Sequence, residues 1–207
     1  DAHSINELLE GDTTSDVVYN TPSDYAAELR GITTAADDFS HPRRFDHSVL
    51  TSSNRTNHTS TSIERFNATT PGDVEPVSRF LRLNPEGICN TLRAGTASDR
   101  GAFTAPRPIH PTHPRVITVR EAARLHGYPD WFRFHVTKWN GFREIGNSVP
   151  ARLGRALGAA LLQADNVTPT RGGIIDLGDP QLLSMNASEA EKYYGIKERV
   201  IPQRDRK

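Results

Sequence analysis

The sequence predicts an α+β chain of short elements: a small mixed region with β-hairpin structure, followed by helices. Three observations carry that expectation. A sharply bounded helix signal runs from Thr118 to Gly127. A strand–loop–strand pattern, ICNTLR, AGTASDRG and AFTA, spans residues 88–105. Apolar residues at 153, 156, 157, 160 and 161 recur with the 3.6-residue period of a helix.

Taken in order, residues 1–10 (DAHSINELLE) predict a short helix with Ile5, Leu8 and Leu9 on one face, ended by Gly11-Asp12. A second short helix is expected over 25–31, capped by Ser23 or Asp24. Residues 31–75 are rich in Thr, Ser, Asn and Asp with few apolar anchors, which predicts loop. His41, His47 and His58 fall there at a spacing that matches no zinc pattern, so they read as surface or polyanion-facing positions. Val77–Asn84 alternates weakly into the turn signal N-P-E-G. Ile88–Arg93 reads as a strand with Cys89 as a core residue, and Ala102–Ala105 as its return. Pro106–Pro114 (PRPIHPTHP) is an extended, proline-stiffened connector.

Thr118 is a good N-cap, and Glu121 three residues on completes a capping box. Val119, Ala122, Ala123 and Leu125 form an apolar stripe, Gly127 is a natural stop, and Pro129 prevents continuation. Arg120 and Arg124 share one face. Trp131, Phe132, Phe134, Trp139 and Phe142 alternate with basic residues. Such aromatics can stack on bases, but packing between elements is the more common use. Gly146-Asn147 predicts a tight turn, and Pro150 suits the first turn of the next helix. Residues 165–207 form a linker, a capped helix at Ser184–Gly195, with Ser188 as an alternative cap, and a basic end, expected to add one packing helix.

Composition narrows the class. Hydrophobic residues make up 35 % of the chain, or about 42 % with its 15 Gly of 207 residues, against roughly 45–50 % including Gly in ordinary domains. The core is therefore expected to be completed by surface outside these residues. One cysteine excludes an internal disulfide framework. No apolar run approaches membrane-spanning length and no secretory leader is visible, so an intracellular setting is expected. An opening on Asp1 instead of Met is what a fragment or processed chain would show. The zero net charge conceals an asymmetry: residues 1–99 carry a net of −7, residues 100–155 a net of +7. A basic block inside a neutral chain is the footprint of a polyanion such as DNA.

Two dense blocks, RVITVREAARLHGYPD at 115–130 and GNSVP at 146–150, occur in this order with 15 residues between them. The chain here resembles the cytosine-5 DNA methyltransferases, whose last two conserved blocks read R-x-x-T-x-R-E-x-x-R-L-x-G-[FY]-P-D and G-N-S-V-P. The resemblance implies a recognition region over 1–114, a scaffold helix and returning segment over 115–164, and an extension over 165–207. It implies a returning helix packed on a Rossmann-like S-adenosylmethionine domain that is mostly absent from this chain. Double-stranded DNA is the implied partner, together with an N-terminal catalytic portion on the same chain or a separate subunit. A restriction–modification setting is expected.

In that family a strand–loop–strand before the first block enters the DNA major groove, which implies DNA contacts for Arg93, Thr96, Ser98, Asp99, Arg100 and Thr104. Gly146, Asn147, Ser148 and Val149 are placed by the resemblance beside the methionine end of S-adenosylmethionine. Arg120, Glu121 and Arg124 would hold the recognition hairpin in register against the core. The family's catalytic Pro-Cys, Glu-Asn-Val and Gly-rich blocks are not in this sequence, and Cys89 lies between Ile88 and Asn90. No catalytic residue is therefore assigned here. The alternative is a sequence-specific DNA-binding module derived from such an enzyme and lacking catalysis.

Overall fold

The computed structural model describes residues 13–14, 22–47, 49–95 and 107–196. The chain forms two compact units, residues 1–177 and 178–207. The helix expected over residues 1–10, the returning strand over 102–105 and the basic end lie outside the described residues.

In the first unit, β1 (Thr13–Thr14) pairs antiparallel with β3 (Val49–Leu50), and β2 (Arg43–Arg44) pairs in parallel with β4 (Ile175–Asp176). Helix α1 (Asp24–Leu29) starts at Ser23, whose hydroxyl accepts from the Ala26 amide. Helix α2 (Ser60–Ala68) starts at Thr59 in the same way. It ends on a buried arginine: Arg82 Nη1 donates to the carbonyls of Phe66 (2.9 Å), Asn67 (3.2 Å) and Thr69 (2.8 Å). Those oxygens have no partner within the helix, and a guanidinium there satisfies them while opposing the negative end of the helix dipole.

Helix α3 (Val119–Leu125) carries the expected capping box: Thr118 accepts from the Glu121 amide, and Glu121 Oε2 accepts from the Thr118 amide at 2.8 Å. Gly127 follows with φ +80°, a left-handed conformation that favours glycine. The buried residues are Val119, Arg120, Ala122 and Ala123, whereas Leu125 is 45 % exposed. The expected stripe is thus one residue too long, because the helix turns Arg120 inward and Leu125 outward.

Helix α4 (Lys138–Asn147) lays Phe142 and Ile145 on α3, and Leu83, Ile117 and Phe134 complete the main core. The two helices approach closely at Gly141, where a Cβ would stand 2.8 Å from Val119 Cγ1. A smaller core joins Phe66, Ile109 and Val116. Ile109 has no exposed surface and bridges both Arg82 and Val116. The connector expected at 106–114 is therefore partly core, since the prolines fix an extended course that seats one isoleucine.

The strand expected over Ile88–Arg93 is not formed with any described residue. Ile88 is 98 % exposed, while Cys89 and Leu92 pack on the main core. Inward residues three apart do not follow the two-residue alternation of a strand. The turn before it is present, with Gly87 N–H donating to the Asn84 carbonyl at 3.0 Å.

His41 and His47 are exposed, as expected of surface positions, and His58 is half-buried; each ring has a partner. His58 Nε2 accepts from the Val116 amide at 3.2 Å and packs edge-on against Phe66. His41 Nδ1 lies 2.9 Å from the Gly173 carbonyl, and His47 Nδ1 3.0 Å from that of Arg30. In the second unit a 3₁₀ turn (Pro180–Leu183) precedes α6 (Ala187–Tyr193). Its cap is Asn186, not Ser184 or Ser188, because Glu189 three residues on completes a capping box with it. No described helix is long and apolar enough to cross a membrane.

Candidate functional site

The first block is a buried ionic frame. Arg120 is 1 % exposed and donates to the Thr51 carbonyl (3.1 Å), the Thr51 hydroxyl, and the carbonyls of Pro129 (3.2 Å) and Phe132 (2.6 Å). Asp130 lies 3.8 Å from it and receives a bidentate pair from Arg124 at 2.9 and 2.6 Å. Arg120 and Arg124 thus tie the 51–53 loop and the Tyr128–Phe132 turn to α3, using the planar fork that suits carboxylates and convergent carbonyls.

Glu121 faces the connector instead. Arg115 reaches it through two hydrogen bonds of 2.8 and 2.7 Å. Burial alone would raise its pKa, but the Arg115 hydrogen bonds, the Thr118 amide and the charges of Arg115 and His110 outweigh burial and hold it below the usual carboxylate value of 4.5. Such a group contributes stability that is complete above its unfolded value and is lost as pH falls through the lower folded one. Stability should therefore decline below about pH 4.5, and Glu121→Gln should flatten that acid limb in denaturation measured against pH. An identical limb in the variant would remove Glu121 as its source.

The second block joins α4 to α5 (Ala151–Ala164). The tight turn expected at Gly146-Asn147 is absent: both residues complete the last turn of α4, anchored by fully buried Ile145. Pro150 occupies the N-cap of α5, one position earlier than expected. A Cβ on Gly146 would stand 2.3 Å from the Ala94 nitrogen and 2.4 Å from the Arg93 carbonyl carbon. The foot of the segment expected to read DNA therefore rests directly on this glycine. Ser148 spends its donors within the chain, its hydroxyl reaching the Ile145 carbonyl at 2.7 Å and its amide the same oxygen at 3.1 Å. Asn147 and Val149 face outward. Of the expected DNA-contacting residues, Arg93 is exposed; Thr96, Ser98, Asp99, Arg100 and Thr104 lie outside the described residues.

Cys89 is half-buried, and burial raises its thiol pKa. An attacking cysteine needs the opposite shift. Its thiol donates to the Asn90 carbonyl at 3.1 Å, a structural use.

Comparison with known proteins decides the family. The model of the C-5 cytosine-specific DNA methylases matches residues 4–163. The chain belongs to the cytosine-5 DNA methylases. This methylase chain is 56 % identical, over all 207 residues, to the type II methyltransferase M.XorII of Xanthomonas oryzae pv. oryzae, of which it covers 49 %. It is 39 % identical over 80 residues to the type II methyltransferase M.AgeI of Thalassovita gelatinovora, covering 39 % of this chain and 18 % of that protein. A solved structure described as a DNA modification methyltransferase encoded within a prophage (E. coli) superposes with a TM-score of 0.57 at 33 % identity. The match covers 78 % of this methylase chain and 45 % of that one. The chain thus spans about half the length of M.XorII, and its mixed helices and short strands agree with a partial methylase fold.

Both blocks adjoin the main core: the Arg120 guanidinium lies over Phe134, 5.6 Å from its centroid, and Ile145 of that core precedes Gly146. The family resemblance implies the cofactor side for Gly146 and DNA for Arg93, and the structure adds that the two are in contact. A glycine lets another backbone come close, but nothing in the sequence says which backbone.

Proposed function

We propose that this chain is the C-terminal, DNA-recognising part of a DNA (cytosine-5) methyltransferase, acting with a catalytic portion that carries the nucleophilic cysteine. The observation that carries the reading is α5. None of its residues is buried, and Leu153, Leu157 and Leu161 are 51, 56 and 67 % exposed along one stripe. Its arginines instead face this chain: Arg152 and Arg155 both pair with Glu28 of α1, Arg155 at 3.0 Å. A surface helix normally turns its apolar face inward. Here the polar side is docked and the leucines are open, which fits a helix whose apolar face lies on a cofactor domain.

On this reading residues 1–114 recognise double-stranded DNA, residues 115–164 return to the cofactor domain, and residues 165–207 are an added extension. Arg93 with Thr96, Ser98, Asp99, Arg100 and Thr104 would read bases through donors and acceptors suited to the major groove. The target cytosine must leave the stack for its ring atoms to be reached. S-adenosylmethionine, when bound, supplies the methyl group for C5. Asn147 and Val149, the outward members of the second block, would line its pocket, while Gly146 and Ser148 form the end of α4 behind them. Arg120, Glu121 and Arg124 hold the frame that fixes these parts relative to one another.

Leu157→Asp tests the reading in the complete enzyme. The side chain is exposed here, so the fold of this chain should persist in circular dichroism. Methyl transfer should fall at least tenfold, because a charge would be buried against the cofactor domain at a cost well above about 1.4 kcal/mol. Unchanged methyl transfer would mean that nothing covers α5.

A further inference from the structure

We infer that Arg55, Arg107 and Lys138 form a seat for a phosphate of the DNA backbone, outside both sequence blocks. The inference rests on the DNA-recognising role proposed above and adds a site to it. Lys138 opens α4, and its Nζ donates to the carbonyl of the exposed Arg55 at 3.1 Å. The Arg107 guanidinium lies over the Phe142 ring, 5.1 Å from its centroid. Phe142 is four residues beyond Lys138 and so on the same helix face.

Cations predominate locally, and the nearby carboxylate of Glu121 is already held by Arg115. Burial first, and then the charges of Lys138, Arg107 and Arg115, lower the His58 pKa; burial and then Arg107 lower that of Lys138. Arg115 is matched by Glu121. No ion pair joins Arg55, Arg107 or Lys138 to a carboxylate among the described residues. Arg107 Nε is also buried with no acceptor, an arrangement proteins avoid unless something else supplies one.

Holding the Arg107 guanidinium near a partly buried lysine is unfavourable in the free protein. A phosphodiester discharges it, offering one negative charge and several acceptor oxygens. The arginines can grip it by their forks and the lysine as a point charge. Arg107 follows the segment 93–104 in the chain, so a phosphate held here would set the register of that segment on the duplex without reading sequence.

The test is binding of the complete methylase to a labelled duplex lacking any recognition site, titrated with salt. Each phosphate contact contributes roughly 0.9 to the slope of log affinity against log salt. Arg55→Ala with Lys138→Ala should reduce the slope by about 2 and weaken binding to all sequences alike. Arg55→Lys with Lys138→Arg should keep the parent slope. Should the double alanine variant lose its melting transition, Arg55→Ala alone should still lower the slope by about 1. A salt-dependent parent with unchanged variant slopes overturns the seat and leaves the DNA-recognition reading standing. A parent that does not bind duplex DNA overturns both.

Discussion

Arg120→Ala is expected to be the most damaging single change in the chain, costing about 3–5 kcal/mol, the range for breaking a buried charge pair by removing one partner. The side chain is 1 % exposed and serves the Thr51, Pro129 and Phe132 carbonyls, the Thr51 hydroxyl and Asp130. Truncation leaves buried acceptors without donors and removes one of the cations around Asp130. Arg120→Lys should recover little, since a single ammonium cannot reach acceptors spread over two loops. Chemical denaturation of the two variants checks this. A lysine variant as stable as the parent would show that charge alone matters at this position.

Gly146→Ala is expected to cost about 1–3 kcal/mol, the usual price of overpacking a filled site. The methyl group would stand 2.3 Å from the Ala94 nitrogen. Backbone is the obstacle, so the Arg93–Ala94 segment must move. In the complete enzyme the variant should lose discrimination between DNA sequences more than it loses affinity for S-adenosylmethionine. Sequence choice is read by methylation across a substrate panel and cofactor affinity by calorimetry. Weakened cofactor binding with an unchanged methylation pattern would return Gly146 to a purely cofactor-side role.

What the sequence disclosed follows from how local each signal is. The cap at Ser23, the capping box at Thr118 and Glu121, and the stop at Gly127 were legible because each is closed by neighbours within a few residues. The family was legible from two blocks whose residue identities are dense. No strand forms at 88–93 with any described residue, because a short apolar run does not say what it pairs with; the inward residues are Cys89 and Leu92. Ile109 is a single buried anchor inside a segment whose proline content signals only a connector. The cluster of Arg55, Arg107 and Lys138 left only a regional excess of charge in the sequence. Its members come from three separate segments, and nothing local marks them as neighbours.

On the function proposed above, this chain supplies DNA recognition to a cytosine-5 methyltransferase whose nucleophile lies elsewhere. The most direct measurement is transfer of a labelled methyl group from S-adenosylmethionine to duplex DNA by the purified chain, with and without a polypeptide carrying the family's Pro-Cys and Glu-Asn-Val blocks. Label on cytosine C5 only when both are present is the predicted result. Label transferred by the chain alone, or no label from the combination although both parts are folded and associated, would contradict it.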